Sequence, residues 1–178
     1  MADNDPFWRL PQVPGFTVTS TTVQDGQLLP AAQMSGIFDV PGGRDESPQL
    51  SWSGAPAATR GYAVTMYDPD APTMSGFWHW AVAGIPASVT SLPLGAGDEG
   101  GALLPAGAIQ LRNDAGSARF LGAAPPDGHG LHRYFLTVHA LDTDDLEIDP
   151  DTSPALLGFT MSFHILARAS LMALAEIS

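Results

Sequence analysis

Apolar residues fall in short runs cut by glycine and proline, a pattern that predicts strands rather than long helices. Strands are expected over residues 16–23, 49–52, 61–67, 79–85 and 134–141. Two of the runs, Tyr62-Ala-Val-Thr-Met-Tyr67 and Tyr134-Phe-Leu-Thr-Val-His-Ala-Leu141, are almost continuously apolar. Central strands covered on both faces read that way. The recurrence of short runs between turn residues predicts a mainly β protein built as a sandwich. The Gly/Pro-rich stretches 95–101 and 122–130 are expected loops, where function most often resides.

Near the C-terminus the period changes. Ser153 is a good N-cap and Pro154 suits the first helical position. Phe159, Phe163, Leu166, Ser170 and Leu174 then recur at helical spacing, so a helix with one apolar face is expected from Ser153 through that stripe, packed on the sheet. A membrane-surface helix is disfavoured, because Arg168 is its only basic residue.

The 178 residues fit a single domain over 1–178, with 1–15 an irregular N-terminal segment. There is no cysteine, so neither disulfides nor thiol chemistry enter. The acidic start, Met1-Ala-Asp-Asn-Asp-Pro6, is not a secretory signal, and no apolar stretch is long enough to span a bilayer. A cytoplasmic protein is expected. The net charge is −12 and the seven basic residues are arginines scattered along the chain. Nucleic acid and anionic membranes need a basic face that is missing here. An anionic ligand must therefore be held by a small local site.

Three segments concentrate Asp, His and Pro where strands should end. Asp68-Pro-Asp-Ala-Pro-Thr73 follows the 61–67 strand, and its prolines restrict the backbone that aims the carboxylates. Asp68 and Asp70 share a face if strand geometry continues; the alternative is a turn whose carboxylates cap backbone N–H groups. In Phe77-Trp-His-Trp80 a histidine sits between two tryptophans, desolvated as a donor or switch, or simply a satisfied core histidine. In Pro125-Pro-Asp-Gly-His-Gly-Leu-His-Arg-Tyr134, His132 and Tyr134 share a face and Arg133 points away, to an ion pair or solvent. His129, between two glycines, reads as an exposed loop residue rather than a ligand.

D-P-D-A-P-T, then W-H-W, then P-P-x-G-x-G-L-H-R-Y together resemble the phosphatidylethanolamine-binding family, in its bacterial Raf-kinase-inhibitor-like branch. Ser47-Pro-Gln-Leu-Ser-Trp-Ser-Gly-Ala-Pro56 and Arg112-Asn-Asp114 fit the same resemblance, which runs from about Thr19 to the C-terminus. It implies a Greek-key β-sandwich with a C-terminal helical segment. It also implies a non-catalytic pocket for phosphate, phosphoethanolamine or a phospholipid head group, without a cofactor. Its motif residues fall on Asp68, Asp70, Pro72, His79, Pro126, His132 and Tyr134, with Gly122 a wall glycine where backbone N–H groups approach the anion. Phe120 and Ala124 depart from the pattern, where tyrosine and glycine are common, and bear on ligand preference. Regulation of a kinase or protease, and a homodimer, are further implications. A cis peptide at Asp68–Pro69, where the strand must turn sharply, is expected on the same ground.

In such a pocket His79, His132 and Tyr134 supply N–H and O–H donors, and Asp68 accepts from a histidine, favouring the imidazolium. Pro72 and Pro126 shape walls without adding donors. Two alternatives use the same residues: a serine hydrolase, for which no G-x-S-x-G elbow is present, and a metal-dependent one built on Asp68 or Asp70, His79 and His129-x-x-His132.

Overall fold

The structure, a computed structural model, describes residues 5–177. Two antiparallel sheets face each other. The smaller has β1 (Thr17–Thr19), β2 (Leu50–Ser53) and β5 (Ser91–Leu92) in the order β1-β2-β5. The larger contains β3 (Gly61–Asp68), β4 (Phe77–Pro86), β6 (Ile109–Gln110), β7 (His132–Leu141) and β8 (Ile165–Ala175), in the order β6-β4-β3-β7-β8. Strand β1 is shorter than the 16–23 expected; β3, β4 and β7 fill and slightly exceed their expected spans.

The core between the sheets is made by one face of the larger sheet, including Val64, Met66, Trp80, Val82, Leu136 and Val138. These pack with Val18, Leu50, Trp52 and Leu92 of the smaller sheet. The other face carries small residues, Ala63, Ala81 and Ala83, beneath Leu111, Leu146, Leu157 and Met161. Both faces of β3 and β4 are thus covered, which explains the almost unbroken apolar run of β3.

The C-terminal expectation needs correcting. A helix does start where expected: α1 (Pro154–Met161) has Ser153 as N-cap, its side-chain oxygen accepting the Leu156 N–H at 3.1 Å. It ends there, and Ile165–Ala175 is a strand. In β8 the residues Ala167, Ala169, Leu171, Ala173 and Ala175 are buried in alternation, and the strand pairs with the full length of β7. Alanine, leucine and methionine favour helix, but a helix here would leave the β7 edge without hydrogen-bond partners. Phe159 and Phe163, assigned above to a packed stripe, are exposed and meet edge to face at 5.3 Å. The expected cis peptide is also absent: every described peptide bond is trans.

One irregularity positions the site. In the β3–β4 ladder Tyr67 pairs with Trp78 and Met66 with Trp80, so His79 is an extra residue at a register shift. A bulge of this kind re-aims the side chains beside it. Trp78 goes to the outer face, its ring 4.5 Å from that of Tyr67, while Trp80 packs inside against Phe120 at 5.7 Å. His79 turns to the inner side with Phe77 (4.8 Å) and Tyr134 (5.2 Å) as ring neighbours. The tryptophans that flank it in sequence are not its walls.

Candidate functional site

The ends of β3 and β4 and the start of β7 meet at one edge of the sandwich. They bring Asp68, His79, His132 and Tyr134 together although the chain separates them widely. All four side chains are at most 5% exposed. Asp68 is the hub. Its Oδ2 lies 2.7 Å from His132 Nδ1, and its charge acts on the buried Tyr134 phenol. Its Oδ1 accepts the Asp70 and Ala71 N–H groups at 2.8 and 3.0 Å. One carboxylate thus both caps the turn and anchors the site. Burial, followed by the negative charge of Asp68, pushes the Tyr134 phenol well above its ordinary range.

These contacts fix the tautomers. A carboxylate accepts, so His132 Nδ1 carries the proton, and in the neutral ring Nε2 is an acceptor. It accepts from His129 Nδ1, 2.7 Å away. His79 Nδ1 donates to the Leu121 carbonyl at 3.0 Å, which leaves its Nε2 bare. The neutral His79 ring therefore offers a lone pair to the site while that of His132 is held by His129, and only an imidazolium donates to an anion there. Burial lowers the His79 pKa; the Leu121 carbonyl, Asp68, the Gly122 carbonyl and Asp114 push against it. The expectation that Asp68 favours an imidazolium does not hold at this ring, because Asp68 bonds His132 instead.

The other expected site residues lie elsewhere. Asp70 is not beside Asp68 on one face, since β3 ends at Asp68 and the chain turns. Its carboxylate is held by Arg133, with Nε at 2.8 Å and Nη2 at 2.7 Å. Pro72 and Pro126 are exposed turn residues, whereas Pro125 is buried. Gly122 cannot give its N–H to a ligand, because that group donates to Asp45 Oδ1 at 2.8 Å. The glycine is required for another reason: a Cβ would lie 2.3 Å from the Met34 carbonyl carbon.

Sequence reasoning missed Asp45, a buried carboxylate that also accepts the Ile37 N–H at 2.9 Å, and nothing in its local sequence marks it. It undervalued His129, which is exposed as expected but caps His132. His129 sits between Gly128 and Gly130, both at positive φ, and with Asp70, Leu131, His132, Arg133 and Leu174 it lines a shallow cavity of about 380 Å³.

The hydrolase and metal alternatives find little here. His79 and His132 bond to a carbonyl, a carboxylate and another histidine, not to a serine. Among the described residues no cluster of three His, Cys, Asp or Glu is arranged to hold a metal.

The model of the phosphatidylethanolamine-binding protein family matches residues 19–176, spanning both sheets and all of the strand ends just described. The chain belongs to this family. Among its relatives is the UPF0098 protein YbcL of Escherichia coli, 45% identical over 93% of this chain and 90% of that protein. YbhB of the same organism is also 45% identical, over 87% and 96%. The crystal structure of E. coli YbcL, described as a new member of the mammalian PEBP family, superposes with a TM-score of 0.88 over 92% of this chain and 99% of that one. A Chlamydia trachomatis homologue of the phosphatidylethanolamine-binding proteins, CT736, is 27% identical with a TM-score of 0.75, over 92% of this chain and 99% of the other. The mainly β sandwich is thus the fold of this family. No described helix is long and apolar enough to cross a membrane.

Proposed function

We propose that the chain is a non-catalytic binding protein for a small phosphate-containing anion, such as phosphate, phosphoethanolamine or a phospholipid head group. The ligand is held at the edge formed by Asp68, His79, His132 and Tyr134. The observation that carries the reading is the convergence of these side chains from three strands around one buried carboxylate, which holds His132 directly. A buried carboxylate that already accepts from His132 and two N–H groups has the role of a positioning group, not of a base facing substrate.

Because the neutral His79 ring offers a lone pair to the site, anion binding takes up a proton at His79. His129 covers His132, so the ligand enters as the Gly128–Gly130 loop swings His129 aside. Affinity then falls as pH rises through the histidine range, and the depressed His79 pKa places its part of this change below the ordinary value near about 6.5.

Calorimetry with glycerophosphoethanolamine tests this, because a phosphodiester keeps one charge while a phosphate monoester titrates near pH 6. Between about pH 5 and 9 the affinity should weaken progressively, and His79→Gln should flatten the slope. Absence of binding at every pH would defeat the ligand assignment; pH-independent binding would defeat the imidazolium mechanism.

A further inference from the structure

A second cavity lies on the opposite, outer face of the larger sheet, and no part of the proposed anion site enters it. Its volume is about 790 Å³, and it is enclosed by the N-terminal segment, the outer faces of β3 and β7, and α1. The walls are aromatic: Phe7, Tyr67, Trp78, Phe135 and Phe159. Three exposed apolar side chains, Trp8, Met74 and Phe159, line it as well, so its apolar lining continues out to the surface. The floor is polar. Thr65, Thr137 and His139 are buried there in the middle of central strands, where apolar β-branched residues are usual. His139 Nε2 and Thr65 Oγ1 are 3.0 Å apart, and His139 Nδ1 has no partner. A sizeable concavity with apolar walls and a few placed polar groups is the ordinary form of a small-molecule site.

The arginines indicate the charge of the occupant. Five of the seven pair with carboxylates: Arg44 with Glu46, Arg60 with Asp144, Arg112 with Asp151, Arg119 with Glu99 and Arg133 with Asp70. Among the described residues, Arg9 and Arg168 have no ion-pair partner, and both belong to this face. Arg9 lines the cavity and lies 4.3 Å from the Trp8 ring; Arg168 lies 4.9 Å from the Phe7 ring, with Nε and Nη2 buried and without partners. The cavity's carboxylates are already engaged. Asp5 Oδ1 accepts the Phe7 N–H, and Asp114 Oδ2 the Trp78 N–H, both at 2.8 Å. Asp5 also acts on Arg168 electrostatically, but makes no ion pair with it. On a chain of net charge −12, two unpaired guanidinium groups beside one aromatic cavity are a local exception.

We infer that this cavity is a second binding site, for a molecule with an aromatic body and a single anionic group. The aromatic body stacks among Trp78, Phe135 and Phe159, and the anionic group lies toward Arg9 and the N-terminal segment. The inference is independent of the anion site at Asp68.

The probe is 8-anilinonaphthalene-1-sulfonate, whose charge is fixed, titrated by fluorescence into the full chain. Binding should saturate at one molecule per chain. Gly158→Leu plugs the cavity: Gly158 lines it, a Cβ there meets nothing within 4 Å, and leucine is the better helix former. That variant should keep its thermal midpoint and bind the probe at least about tenfold more weakly. Arg9→Gln should weaken binding about three- to fivefold, as removal of an exposed charge does. N-phenyl-1-naphthylamine, the same body without the sulfonate, should bind less tightly and ignore Arg9→Gln. His79→Gln and added inorganic phosphate should leave probe binding unchanged. Unaltered binding in a folded Gly158→Leu variant would overturn the site. Equal affinity for the uncharged analogue would overturn the anionic assignment, and displacement by phosphate would place the probe at Asp68 instead.

Discussion

On the inner edge of the larger sheet, Asp68 serves two backbone N–H groups and His132, and each of those donors ends on an acceptor. On the outer face of the same strands, His139 has one bonded ring nitrogen and one bare one, and its cross-strand neighbour Arg168 has two buried nitrogens without partners. The two regions share β3 and β7 and comparable burial, yet one is a closed network and the other an open one. A satisfied network is rigid and costly to disturb, because removing its hub strands every partner. An unsatisfied one costs stability in the unliganded chain and leaves hydrogen-bonding capacity for something else.

The sharpest test of this contrast removes the hub. Asp68→Ala leaves the buried His132 donor and two partly buried amides without their acceptor, and should cost about 3–5 kcal/mol in urea unfolding. A loss under about 1 kcal/mol would mean that the network is not what holds this edge. Next in size is Gly122→Ala, which drives a Cβ into the Met34 backbone and disturbs the Asp45 bridge. Backbone cannot rotate away as a side chain can, so a loss of about 2–3 kcal/mol is expected in the same assay.

The outer face should reveal itself through pH. Burial, and then Arg168, hold the His139 pKa down at about 3. The unfolded chain takes up this proton near about pH 6.5 and the folded chain does not, so stability is full above that pH and falls as pH drops toward about 3. The depressed pKa of His79 adds a loss of the same sign. His139→Val should therefore reduce, without abolishing, the fall in thermal midpoint between pH 7 and 4, and should cost little at pH 7. An unchanged slope would show that His139 is accessible to protons in the folded state. The smallest effect belongs to the rim: Arg133→Gln breaks a partly exposed pair with Asp70 and should cost about 1 kcal/mol or less.

Much of this architecture was legible before any coordinates. Almost continuous apolar runs marked β3 and β7, a shorter apolar run marked β4, and the Asp, His and Tyr at their ends marked an edge. The largest failure was at the C-terminus. The stretch Ile165–Ala175 is rich in alanine and leucine, and the apolar positions satisfy a helical period as well as an alternating one. Small side chains give little contrast between the two. The short β5 and β6 escaped for want of any pattern long enough to read.

The sequence by itself determined the class of fold, the punctuation by Gly and Pro, the start of α1 at Ser153, and which residue types gather at the strand ends. These depend on side-chain chemistry and on local backbone preference, both written residue by residue. Only the tertiary structure decided that Ile165–Ala175 is a strand, because the demand came from the open edge of β7. It alone decided that Asp68 bonds His132 rather than His79, and that the Gly122 N–H goes to Asp45. The bulge that turns His79 away from its neighbouring tryptophans is a property of two strands in register, and no single segment contains it.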